Sequence, residues 1–284
     1  MRSLLAGILL LVGALLVPVA TAGWWARDTI VPAQAYVDTV APLATDPAIT
    51  KAVETQVVDQ TMTALRTQAP QLPDSVRSRV KPLVRGVVHR AVASPAFAAV
   101  WRRANLTAHR ELVGVLTGHS SAVESGHDGT VAIRLGSFTQ ELGRALTAFG
   151  IPFTPPATSA TVPIGSAENL QRAQGAYQFL VRWGRWLSVL ALVLVVAGLL
   201  LARRRASALA WTAVVSLVGL GALALALYLG RGAYLDALPA GIPSPAGRAF
   251  FDTVNSGLRH DIEVVSIGAA VVLIVSAAVA LVRR

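Results

Sequence analysis

Four stretches of this chain, residues 4–23, 187–202, 209–229 and 264–282, are apolar and hold no charged residue. A helix of roughly 20 residues crosses the hydrocarbon of a bilayer, where each backbone N–H and C=O must find its partner inside the protein. No motif in the chain constrains its fold as strongly. Trp24 and Trp25 follow the first stretch, Trp183 and Trp186 introduce the second, and Tyr228 and Tyr234 close the third. Such side chains suit the headgroup level, because each has an apolar ring and a polar tip. The expected fold class is mainly α, with four transmembrane helices.

Basic residues set the expected orientation. Arg203, Arg204 and Arg205 open the link 203–208, Arg2 precedes the first stretch, and Arg283 and Arg284 follow the last. Put in the cytoplasm, these three places hold six Arg and no acid, as the positive-inside rule selects. The solution has both termini cytoplasmic in a plasma membrane. Residues 24–186 and 230–262 are then extracytoplasmic, 187–202 and 209–229 are spans two and three, and 263–284 is span four with its basic end. Residues 1–23 read as span one, with a rival. Arg2, an apolar run and Ala20-Thr21-Ala22 before Gly23 also describe a signal peptide with a small-residue cleavage site.

The formal charge of +10 is thus largely topological. Outside those six arginines, 19 basic residues face 15 acidic ones, which is a weak argument for nucleic acid, and no nucleic-acid partner is expected. Hydrophobic residues make up 54% of the chain and charged ones 14%, against about 25% in soluble domains. Cysteine is absent. A disordered chain, a disulfide-stapled module and a thiolate zinc protein are excluded.

Residues 24–186 are long enough for one domain, and their pattern is mostly helical. Asp46-Pro47 and Ser94-Pro95 each read as an N-cap followed by Pro at the first helical position, where a missing N–H is harmless. Val76, Val80, Leu83, Val87 and Ala91 recur at helical spacing, with a break expected at Pro82. Phe97, Trp101, Ala104, Ala108, Leu112 and Val115 form one face of a helix that Gly118 ends. Val131, Ile133 and Leu135 alternate as a strand, 158–164 is a second, and Ser137 starts a helix to about Phe149. The domain expected is therefore helical with a small two-stranded β element. Its last helix, capped by Ser166, runs through Tyr177 into span two. In 230–262, Phe250, Phe251, Val254 and Leu258 share one side of an amphipathic helix, which either lies at the membrane interface or packs on the domain.

Trp25-Ala26-Arg27-Asp28-Thr29, residues 36–43 and Asp46-Pro47 resemble the opening of an uncharacterised family of actinobacterial four-span integral membrane proteins. Ser94-Pro95-Ala96-Phe97, Trp101, Asn105, Ala108 and His109 are similar to that family's central motif. The resemblance extends over most of the chain. It implies the four-span layout and a retained first helix, and it carries no established activity.

Trp101, Asn105 and His109 are the sharpest constellation, since a spacing of four puts them on one helix face. Either they line a polar, proton-responsive pocket or they are a buried network that fixes helix packing. His119, Glu124, His127 and Asp128 crowd one loop, but without rigid spacing they read as solvated, and no metal is expected. Gly118-His119-Ser120-Ser121-Ala122 has a helix where a nucleophile elbow needs a strand. No phosphate-binding loop or dinucleotide fingerprint appears, so no cofactor and no catalytic residue is expected. Arg77, Arg79, Arg85, Arg102, Arg103 and Arg110 suit either anionic headgroups or a solvated face. Span interiors offer Ser188, Thr212, Ser216, Ser266 and Ser276 but no ionisable group, against an ion-coupled transporter.

The expectation is a non-enzymatic protein of the cell envelope. It would hold a helical domain outside the plasma membrane to bind a protein, lipid or wall component. A sensor or transport accessory subunit is the alternative, and an envelope hydrolase the second.

Overall fold

The computed structural model describes residues 2–118, 123–125, 130–134, 161–239 and 241–282. In chain order the elements are α1 (Arg2–Trp25), a π turn (Ala26–Ile30), α2 (Ala33–Val40), a 3-10 turn (Ala41–Thr45), α3 (Pro47–Gln68), α4 (Asp74–Val92) and α5 (Pro95–Leu116). Strands β1 (Val123–Ser125), β2 (Thr130–Arg134) and β3 (Thr161–Ser166) follow. The chain continues with α6 (Ala167–Leu201), α7 (Arg205–Asp236), α8 (Ser244–Val254) and α9 (Ser256–Val282).

Three segments, Ser3–Ile30, Arg205–Asp236 and Ser256–Val279, are each long and apolar enough to cross a membrane. Two bent pairs meet the test only when joined: Asp74–Val92 with Pro95–Leu116, bent by 75°, and Leu170–Gly184 with Trp186–Leu201, bent by 57°. The chain is a mainly helical, multi-pass membrane protein with three to five candidate spans. Residues 187–202 fall short alone because the bend before Trp186 leaves only Trp186–Leu201 as a straight helix. The α4–α5 pair carries Arg77, Arg79, Lys81, Arg85, Arg90, Arg102, Arg103 and Arg110. That many charges are costly in hydrocarbon, so we read this pair as part of a helical domain.

The chain divides into two compact units. One comprises residues 1–32, 176–234 and 255–284. Its buried centre joins Leu220, Leu258 and Ile262 to Val17, Ala22, Trp25 and Leu227, so α1, α7 and α9 share one core. Glycine lets α6 come close to α1: a Cβ on Gly13 would lie 3.2 Å from the Val195 nitrogen, and one on Gly198 would lie 3.2 Å from the Leu10 nitrogen. On α7, a Cβ on Gly219 would meet the Pro18 ring at 2.9 Å. Small residues that let backbones approach are the usual device of helix packing in lipid, where no hydrophobic effect drives association.

The other unit comprises residues 33–175 and 235–254. Its helices begin where local chemistry starts them. The Asp46 carboxylate accepts from the Ala48 and Ile49 amides at 2.8 and 3.2 Å, and Ser94 Oγ accepts from the Phe97 amide at 3.4 Å. Such caps are worth about 1 kcal/mol each. Gly118, with φ of +75°, ends α5 in the left-handed conformation that costs glycine least. Helices α3 and α4 form a hairpin. Arg77 secures its turn, donating to the Pro70 carbonyl at 2.8 Å and to the Asp74 carboxylate at 2.8 Å. Val57, Val58, Met62, Val88, Val92 and Phe97 fill the core between α3, α4 and α5.

Two sequence expectations change here. Helix α4 runs unbroken through Pro82. Pro82 lies on the exposed face, so the Ser78 carbonyl that loses its partner can turn to water. The expected amphipathic helix around 250–258 is two helices that part at Asn255. Leu258 therefore belongs to α9 and its core, whereas Ala246 of α8 is buried against Val40, Leu43 and Ile49. Of the two placements open to that helix, packing on the helical unit is the one observed.

The three strands pair antiparallel in the order β1-β2-β3, with Glu124 opposite Ala132 and Ile133 opposite Val162. The sequence predicts two strands, near 131–135 and 158–164. The helix expected from Ser137 lies outside the described residues.

Candidate functional site

The Trp101, Asn105 and His109 face of α5 packs on α2. Trp101 Nε1 donates to the Val40 carbonyl at 2.8 Å. That carbonyl belongs to the last turn of α2, where four C=O groups lack intrahelical partners. Val40 is fully buried, so water cannot serve it. Asn105 Nδ2 turns back on its own helix and donates to the Trp101 carbonyl at 2.9 Å. His109 is 5% exposed, and its ring stacks on Tyr36 at 4.5 Å between centroids, with planes 28° apart. At the rim, Arg102 donates to the Asp38 carboxylate at 2.7 Å, and Gln34 donates to the same oxygen at 3.1 Å. Trp101 and His109 thus meet α2 along one seam, while Asn105 bonds within α5.

A second seam joins α3 to α4. The Glu54 carboxylate faces His89 Nδ1 at 3.0 Å and Arg85 Nε at 3.7 Å, and Lys81 meets Asp59 at 3.6 Å. Glu54 is partly buried and its partners, like Lys81 and Asp59, are exposed, and pairs with exposed members contribute up to about 1 kcal/mol. Further along α5, Glu111 has one carboxylate oxygen buried with no hydrogen-bond partner among the described residues. Burial pushes its carboxyl above the ordinary value.

Of the topology arginines, Arg203 and Arg204 are exposed between α6 and α7, Arg205 is exposed at the start of α7, and Arg2 begins α1. Arg283 and Arg284 lie outside the described residues, as do His119, His127 and Asp128 of the crowded loop. Among the described residues no group of three His, Cys, Asp or Glu side chains is placed to hold a metal.

The cavity that stands out was not signalled by any motif. It lies in the unit of α1, α7 and α9 and has a volume of about 760 Å³. Val17, Ala20, Ala191, Val195, Ala213 and Val272 are among its lining residues, and Trp24, His260 and Asp261 also border it. Two of its hydroxyls are spent on their own helices: Thr21 Oγ1 donates to the Val17 carbonyl at 2.9 Å, and Thr212 Oγ1 to the Ala208 carbonyl at 2.8 Å. Ser188 and Ser216 add two more hydroxyls to an otherwise largely apolar wall, and its ionisable groups lie where α9 approaches its apolar run. A sequence signal did exist. Ala20, Ala191, Ala213, Gly268 and Ala269 leave space in four different helices, but one helix at a time they look like packing surfaces.

No family model, no curated protein and no solved structure matches the chain.

Proposed function

We propose that the chain is an integral plasma-membrane protein that holds its helical unit outside the cell for binding or scaffolding at the envelope, without enzymatic activity. The observation that carries this reading is the state of the α2–α5 seam. Its polar side chains serve helix packing: Trp101 holds a backbone carbonyl and His109 holds a neighbouring ring. The six basic residues at 2, 203–205 and 283–284 support the orientation, with both termini in the cytoplasm. Membership of the actinobacterial four-span family belongs to the same proposal, as does a stable β element built on Val123–Ser125, Thr130–Arg134 and Thr161–Ser166. Helix α4 offers the binding face, because Val76, Leu83 and Val87 are exposed along one side of it.

The absence of cysteine permits a clean test of sidedness. Gln71→Cys and Ser244→Cys are expected to react with a membrane-impermeant maleimide in intact cells, and Ser207→Cys only after permeabilisation. The reverse pattern overturns the orientation. A photocrosslinking residue at Leu83, which is 70% exposed, is expected to capture a reproducible envelope component. Capture of nothing from positions 76, 83 and 87 counts against binding through this face.

A further inference from the structure

We propose that the cavity bordered by α1, α6, α7 and α9 is a binding site for one bilayer phospholipid with a primary-amine headgroup. An acyl chain lies along the apolar wall, and the headgroup sits at Trp24, His260 and Asp261.

The wall favours a chain. Val195, Leu192, Val264 and Val272 present hydrocarbon, and with the Thr21 and Thr212 hydroxyls bonded within their own helices, Ser188 and Ser216 are the remaining hydroxyls of the wall. Water needs two to four polar partners to occupy a cavity, and this wall does not supply them along its length. The volume of about 760 Å³ falls within the range of small-molecule sites, about 300–1,000 Å³. Leu192 is 66% exposed, so an apolar side of the cavity faces the surroundings of the helices, and those surroundings are lipid.

The mouth favours the headgroup. Trp24 is a residue type that settles at headgroup depth. Beside it, Asp261 offers an acceptor and His260 a ring N–H donor. Asp261 is half-buried, and among the described residues it makes no ion pair. A carboxylate with nothing to hold, next to a donor, is complementary to a headgroup that carries an ammonium and a phosphate. A glycerol headgroup supplies no cation for Asp261, and a quaternary amine supplies no N–H.

The test uses the full chain, extracted in mild detergent, and native mass spectrometry against equimolar phosphatidylethanolamine, phosphatidylglycerol and phosphatidylcholine. The parent is expected to retain one lipid and to prefer phosphatidylethanolamine by about tenfold, a factor that corresponds to one charge-assisted contact. Asp261→Asn preserves shape and should bring the preference close to one. Gly268→Phe tests the chain, because a Cβ on Gly268 meets nothing within 4 Å and the new ring enters the cavity without a backbone clash. It should lower retention of all three lipids by about the same factor. Equal retention of the three lipids by the parent overturns the headgroup assignment, and so does an unchanged preference in Asp261→Asn. Undiminished retention in Gly268→Phe, with thermal unfolding like the parent's, overturns the site. None of these results depends on which side of the membrane the helical unit occupies.

Discussion

The indole of Trp101 closes the end of another helix sixty-one residues away in sequence. Trp101→Phe keeps the ring and removes the donor, so the buried Val40 carbonyl loses the indole's hydrogen bond. That penalty is about 1–3 kcal/mol, so thermal unfolding of the helical unit should move down by about 3–8 °C. An unchanged midpoint would show that the carbonyl finds another donor. The His109 ring acts through stacking on Tyr36, so His109→Phe should cost less than His109→Ala in the same measurement. Glu111 behaves differently, because burial raises its folded value above the unfolded one. Its contribution is fully present below the unfolded value and is lost as pH rises through the raised folded value. Glu111→Gln should therefore stabilise at about pH 7 and make no difference by about pH 4. Parallel stability curves across that interval would contradict the assignment.

Close approach at glycine organises the elements of the membrane unit. Leucine at Gly198 would place its Cβ 2.6 Å from Leu10 Cγ and 3.2 Å from the Leu10 nitrogen, and a backbone atom cannot step aside. Gly198→Leu and Gly13→Leu should each cost about 1–3 kcal/mol or more by forcing α1 from α6, read as thermal unfolding in micelles. Gly7→Leu is the control, because a Cβ there meets nothing within 4 Å. Helix α1 supplies Leu10 and Ala14, at 5% and 0% exposed, to this packing. The first residues are accordingly expected to stay on the membrane-extracted protein. N-terminal sequencing that begins at Gly23 would refute that expectation.

Elements with a local cause were readable in advance. Asp46-Pro47, Ser94-Pro95 and Gly118 act on amides and carbonyls within four residues of themselves, so their helix ends could be placed from the chain alone. The three uncharged runs of α1, α7 and α9 were equally plain. The effect of Pro82 is not legible in the sequence, because it depends on whether its face meets water, which no neighbour in sequence reports. Spacing narrows the seam to two readings, and the contacts that bear on them, with the Val40 carbonyl and the Tyr36 ring, come from a helix more than sixty residues away. The cavity was out of reach for a related reason: four helices each contribute a little missing volume.

At the scale of the whole molecule, the helical unit is assembled from two separated lengths of chain. Helix α8 brings Ala246, Phe250 and Val254 to Val40, Leu43 and Ile49 from some two hundred residues downstream. A fragment of residues 26–182 lacks that contribution and exposes the apolar patch it covered. Such a fragment should associate or bind a hydrophobic dye, whereas the same fragment with 235–254 added should not. Equal behaviour of the two would mean that α8 is dispensable. Burial on α2 and α3 is what makes α8 matter, and it also limits how this protein can be rearranged. No continuous cut releases the helical unit, so it cannot be exchanged with another anchor as a cassette. A crossover between two related chains within residues 33–254 would pair α8 of one parent with α2 and α3 of the other. Recombinants should survive only where both stretches come from the same parent.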